Sequence, residues 1–307
     1  MKIAWLRGTG HKKRVNVTVI VRLKGGLGNQ IFQYAAGVAL SKRLGTSVQV
    51  DSGRMFVDAQ RSYALGVFSA PHVETGRIRN CALEVAAIVN RKLQRLGSPI
   101  TMSHTLFTET GHAVNAAFFQ IRKRPLNILD GYFQSERYFS DACPEVRHAL
   151  RFPEPACATM QGWLERIRLC TSVSIHIRRG DYVSNPQANA THGVLPLSYY
   201  RSAIARIRQY DASIQCFVFS DDLEWARENL LVEGVPLHFV DGWDKTDHDD
   251  MHLMSACQHH VIANSSYSWW GAWLNDKPDK IVVAPRAWFA DTSKPSCDQT
   301  PDSWVLI

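Results

Sequence analysis

The sequence predicts an α/β protein built on mostly parallel sheets. Three observations carry this. Short apolar runs alternate with amphipathic helical stretches, a glycine-rich turn joins the first strand to the first helix, and polar clusters fall just past the ends of the apolar runs. In such sheets ligands sit beyond the carboxyl ends of the strands.

The opening unit reads in order. Residues 17–23 form a buried strand, 24–30 (KGGLGNQ) a glycine-rich turn, 31–44 a helix stopped by Gly45, and 47–51 a second strand. An amphipathic helix with a basic face is expected at 85–96, and a strand running into a cleft loop at 127–133. Pro144 and Pro153 bracket the expected link, dividing the chain into an extension at 1–16 and domains at 17–153 and 154–307. In the second domain, strands are expected near 172–178, 214–219, 236–240, 260–263 and 280–284. Helices are expected near 197–208, 222–230, 249–258 and 266–274.

The bulk properties agree. A chain of 307 residues with 45% hydrophobic and 21% charged residues can bury two cores. A net charge of +7 suits a small anionic ligand and leaves room for peripheral contact with the inner membrane. The charge is spread along the chain, so nucleic acid is not an expected partner. Seven cysteines without a CxxC pair argue against a disulfide framework or a zinc site, and favour reduced thiols in the cytoplasm. No apolar run approaches the roughly 20 residues that span a bilayer, and residues 1–16 lack the apolar stretch of a signal peptide.

Four segments carry candidate chemistry. In SIHIRRGDY (174–182), His176 and Arg178 share one face of a strand, while Val173, Ile175 and Ile177 share the other. Adjacent Arg178 and Arg179 at a strand end are costly to crowd unless an anion neutralises them, and a guanidinium fork matches phosphate oxygens. Asp181 can anchor one of them. In FVFSDD (217–222), Ser220 or Asp221 could cap a helix, or a carboxylate of Asp221 or Asp222 could accept hydrogen bonds from a purine base. In HVIANSSYSWWGAWL (260–274), a strand ends at Asn264. Ser265, Ser266 and Ser268 then open a helix whose free N–H groups and dipole favour an anion. The turn holding Gly26, Gly28, Asn29 and Gln30 is neither a complete dinucleotide fingerprint nor a P-loop, but its glycines allow close backbone approach.

Together GGLGNQIFQYA (25–35), HIRRGDYV (176–183), FSDDLEWARENL (219–230) and ANSSYSWWGAWLN (263–275), with GYFQSERYF (131–139), resemble the bacterial α-1,2-fucosyltransferases of glycosyltransferase family 11. The resemblance implies a GT-B fold, two Rossmann-like domains facing across a cleft. It implies a GDP-fucose donor held by the C-terminal domain, a galactose-terminated glycan acceptor, inversion by single displacement, and no divalent metal or other cofactor. It places His176, Arg178, Ser265, Ser266 and Ser268 at the pyrophosphate, Asp221 or Asp222 at the nucleotide, and Gly26, Gly28, Asn29 and Gln30 across the cleft. Arg178 would take the leaving-group charge that a metal takes in other transferases. Catalytic expectations fall on Arg178, His176, Asp181 and Asn29, and donor-binding ones extend to Arg179, Ser220 and Asn264. Asp181, Asp130 and Glu136 are the candidate bases. The implied process is O-antigen synthesis.

Two other readings compete. Asp247 and Asp249 form an Asp-x-Asp, and His248 and His252 are four apart, which could hold manganese in a GT-A enzyme. Trp269, Trp270 and Trp273 could instead stack on sugars in a non-catalytic binding protein, although they also read as an aromatic core helix.

Overall fold

The computed structural model describes residues 18–53, 55, 62–73, 104–294 and 298–307. The extension at 1–16 and the helix expected at 85–96 lie outside these residues.

The chain opens with β1 (Thr18–Arg22), α1 (Leu27–Leu44) and β2 (Ser47–Asp51). With β3 (His72–Val73), β4 (His104–Thr108) and β5 (Leu126–Asp130) they form a parallel sheet of five strands in the order β3-β2-β1-β5-β4. Helix α2 (Cys143–Ala149) packs on α1, and α3 (Ala158–Arg168) follows. The second half runs β6 (Ser172–Ile177), α4 (Gly180–Ser184), α5 (Pro186–His192), α6 (Leu197–Arg208), β7 (Gln215–Ser220), α7 (Leu223–Asn229) and β8 (Leu237–Phe239). It continues with α8 (Asp249–Ala256), β9 (His259–Val261), α9 (Ser266–Leu274), β10 (Val282–Ala284) and β11 (Val305–Leu306). Its six strands are parallel, in the order β11-β10-β9-β6-β7-β8. Among the described residues, no helix is long and apolar enough to cross a membrane, and the cysteines are unpaired.

Helix α1 starts at Leu27, within the glycine-rich turn, rather than at residue 31. Its glutamines explain how glycines are held in a helix start. Gln30 donates to the carbonyls of Gly25 (2.9 Å) and Ser62 (2.8 Å) and accepts from the Ala64 amide. Gln33 bonds both backbone groups of Lys24 at 3.0 Å. Both amides are fully buried yet satisfied. Gly45 ends the helix in the left-handed region at φ 58°, as a C-terminal glycine should. The two-residue β11 was not foreseen, because so short a strand carries no periodicity.

The two sheets are joined by an aromatic seam between α1 and α9. The Phe32 ring lies 4.5 Å from Trp269 and 4.9 Å from Trp270, and Phe139 stacks on Trp270 at 5.5 Å. Trp269 also donates to the Gln299 carbonyl, Trp273 to Glu136, and Arg147 to the Leu274 carbonyl. The tryptophans of α9 are therefore core, and all three are buried. At the head of the seam the backbones of α1 and α9 meet. A Cβ on Gly28 would sit 2.5 Å from the Ser266 carbonyl carbon and 2.6 Å from the Tyr267 nitrogen. Glycine is required there because rigid backbone, not a flexible side chain, occupies the space.

Phe32→Ala should destabilise the protein by about 3–5 kcal/mol in chemical denaturation, the range for a buried ring lost from a packed core. Gly28→Ala should cost about 1–3 kcal/mol by overpacking, with a lower Tm in calorimetry. An unchanged Tm for Gly28→Ala would mean that the two helix ends do not touch.

Candidate active site

A cavity of about 710 Å³ lies where the carboxyl ends of the two sheets face each other. One side is the turn Gly26–Asn29 with Ser62 and Gln134. The other comprises His176, Arg178 and Asp181 after β6, Ser220 and Asp221 after β7, and Asn264 to Tyr267 after β9. Two helix N-termini converge on it. The first is α1, whose N-cap Gly26 provides no side-chain cap; the second is α9, where the Ser265 hydroxyl accepts from the Tyr267 amide at 3.3 Å. Free amide groups and the positive ends of two dipoles thus point at one volume.

Arg178 enters from β6. Its Nη2 donates to Asp181 at 2.6 Å and its Nη1 is 2.8 Å from Asp221. Two carboxylates fix the plane of the guanidinium while leaving it partly exposed in the cavity. Gly180 makes room for this, since a Cβ there would lie 2.5 Å from the Asp221 carboxyl. Arg179, the N-cap residue of α4, points away. Its Nε is 2.9 Å from Asp222 and its guanidinium lies 3.6 Å over the Trp225 ring. Asp222, not Ser220 or Asp221, caps α7 by accepting from the Trp225 amide. Arg179 and Asp222 therefore lie outside the cavity lining, contrary to their expected donor roles.

His176 is buried beside Arg178. Burial, and then the neighbouring cation, push its imidazole down to about 3, so it is neutral at physiological pH. Its Nδ1 has no hydrogen-bond partner among the described residues. Gln30 does not line the cavity because its amide splints the turn behind it. Ser268 also lies behind, donating to the Ser265 carbonyl at 3.3 Å. Asn264 does reach the cavity, but its amide donates to the His192 carbonyl at 2.7 Å. Asn29 accepts from Gln134 at 2.6 Å across the turn. Asp130 is bound to Arg22 and Lys24, and Glu136 accepts from Trp273; neither lines the cavity.

Of the Asp247 and Asp249 pair, only Asp247 lines the cavity. Asp249 is 1% exposed and accepts from the Trp243 indole (3.0 Å) and the Thr246 amide (2.9 Å), which locks the loop. No group of three or more metal-ligating side chains occurs among the described residues. Asp247 and Asp250 face the cavity instead. Asp250 lies 2.9 Å from Lys245, and its burial raises its pKa.

Sequence reasoning missed Asp250, Gln134, Tyr182, His192 and Tyr267 in the lining. For Gln134 a signal existed in the segment GYFQ. Phe133 takes φ 53°, rare for a large residue. The Glu109 carboxylate holds it there by accepting from the amides of Tyr132 (2.7 Å) and Phe133 (2.9 Å). This turn sends Gln134 toward Asn29.

Comparison with known proteins agrees with this architecture. Residues 102–307 match the sequence profile described as glycosyl transferase family 11. The O-antigen biosynthesis glycosyltransferase WbnK of Escherichia coli is 33% identical over 93% of this chain and 99% of its own length. The α-1,2-colitosyltransferase of E. coli is 33% identical over 94% of this chain and 98% of its own. In structure, a mutant of Arabidopsis thaliana FUT1 in complex with GDP aligns with TM-score 0.52 at 14% identity, over 93% of this chain and 72% of that one. The fold is GT-B, two Rossmann-like domains facing across a cleft, and with it the manganese-dependent GT-A reading loses its basis. A profile that spans the second sheet, relatives that match nearly end to end, and a cavity at the facing sheet ends lead to one assignment: the chain is a glycosyltransferase and belongs to glycosyl transferase family 11.

Proposed function

We propose that this enzyme transfers L-fucose from GDP-β-L-fucose to O2 of a terminal galactose with inversion, in the assembly of a bacterial surface polysaccharide at the cytoplasmic face of the membrane. The reading rests chiefly on one observation: Arg178 and the N-termini of α1 and α9 converge on one cavity. As the bond from the anomeric carbon to the β-phosphate breaks, negative charge grows on the diphosphate. Fixed guanidinium and amide dipoles there stabilise that charge without reorganising. Asp181 and Asp221 hold Arg178 in place before the donor arrives. In this reading residues 154–307 bind the donor, with Ser265 and Ser266 adding hydroxyl donors, and residues 17–153 present the acceptor beside Asn29.

The carboxylates of the lining fit the rest of such a donor. Asp181 and Asp221 are offset by Arg178, and Asp250 by Lys245. Carboxylates with nearby cations accept well from ribose and sugar hydroxyls and from the N–H groups of guanine. A second reading, transfer of colitose (fucose lacking its 3-hydroxyl), is favoured by the 33% identity to the α-1,2-colitosyltransferase. A panel of GDP-fucose and GDP-colitose against galactose-terminated acceptors, with product linkage read by NMR, separates the two. An α-1,2-fucosylated product supports the first, and transfer from GDP-colitose alone would replace it.

Arg178→Ala should lower kcat on the order of 100-fold or more while circular dichroism stays unchanged. Near-normal turnover would remove Arg178 from its role. Arg179→Ala should chiefly lower Tm, because it breaks the Asp222 pair and the Trp225 stack. Turnover in excess EDTA should equal that in buffer, and a chelator-sensitive rate would contradict metal-free catalysis.

A further inference from the structure

Resting on the transferase reading above, we propose that His192 is the general base that takes the proton of the acceptor hydroxyl. Inverting displacement needs such a group on the acceptor side, and the candidates in the lining can be compared. Asp181 and Asp221 are both bound to Arg178 and Asp250 to Lys245, and Asp247 is exposed, with no hydrogen bond or ion pair to hold it among the described residues. His176 is deeply buried and holds a proton too weakly to accept one near neutrality. His192, at the end of α5, lines the same cavity, and its Nδ1 is buried without a hydrogen-bond partner among the described residues.

The surroundings of His192 form a built mount. Tyr182 stacks on the imidazole at 4.9 Å and 3°, and Phe289 closes on it at 5.6 Å. The backbone is clamped on both sides. Asn264 donates to the His192 carbonyl, and the Thr191 carbonyl accepts from the amides of Ala290 (3.0 Å) and Asp291 (3.3 Å). The Tyr182 hydroxyl donates to the Asn264 carbonyl at 3.1 Å, tying the stacking ring to the same post. Charged and titratable groups face the ring from each neighbouring segment: Lys294, Arg178 and His112 oppose its protonation, and Asp181 favours it. Burial is the largest influence, so the imidazole stays neutral at neutral pH and keeps a lone pair for the acceptor.

The step balances simply. The acceptor oxygen forms the bond to the anomeric carbon, and its proton passes to the His192 imidazole. The bond to the β-phosphate oxygen breaks, with its electron pair leaving on GDP. The imidazolium then returns the proton to solvent.

The test uses the full chain with GDP-fucose and a galactoside. His192→Gln and His192→Phe are compared with wild type in kcat, in GDP affinity by calorimetric titration, and in the pH dependence of kcat/KM. The wild-type rate should fall toward acid pH along a single-group limb below the usual histidine value of about 6.5, because the base works only when unprotonated. Both variants should lose on the order of 100-fold in kcat, bind GDP within about twofold of wild type, and lack that limb. A variant with kcat within about threefold of wild type and the same acid limb would overturn the proposal. If a substitution disturbs folding and GDP binding is lost, the wild-type profile decides: a rate flat down to pH 5 would overturn it. Wild-type protein that releases no GDP with any acceptor would instead sink the functional reading, and the base with it.

Discussion

The structure depends on the contact between the first turns of α1 and α9. Each helix belongs to a different sheet, and each begins at the carboxyl end of a strand. Their backbones touch at Gly28 and Ser266, and a few ångströms along, Phe32 sits among Trp269, Trp270 and Phe139. The same joint that welds the halves together also aims two sets of amide groups at one place. Stability and anion affinity therefore share an origin, and a side chain at position 28 disturbs both.

Arg178 completes this arrangement by a different route. A helix terminus supplies partial charge that is fixed by covalent geometry, whereas an arginine side chain has to be held. Asp181 and Asp221 supply that restraint at the expense of part of the positive charge. The site thus trades bulk positive potential for geometric precision, which is what transition-state stabilisation needs. The net charge of +7 misleads if it is read as a basic pocket. The lining carries one arginine and several aspartates, and its attraction for anions comes from orientation.

Much of the fold was legible because the strands of a parallel sheet covered on both faces are continuous apolar runs. The helices at 197–208 and 266–274 appear with the bounds the sequence implies. What escaped was set by side-chain contacts that leave no periodic pattern. The helical start at Leu27 depends on Gln30 and Gln33 folding back over the turn. The choice of Asp222 over Asp221 as the α7 cap depends on Arg178 claiming Asp221. His192 shows no motif at all, and only the stacking of Tyr182 and Phe289 and the clamp at Asn264 single it out. The Asp-x-Asp failed for the opposite reason, since a short pattern carried no information about which way Asp249 turns.

The position of the diphosphate decides the role of Arg178, and a crystal structure of the protein with GDP would show it. Phosphate oxygens should lie within hydrogen-bonding distance of the Arg178 guanidinium and of backbone amides at the start of α9. Phosphates bound elsewhere, with Arg178 still engaged only by Asp181 and Asp221, would contradict that role.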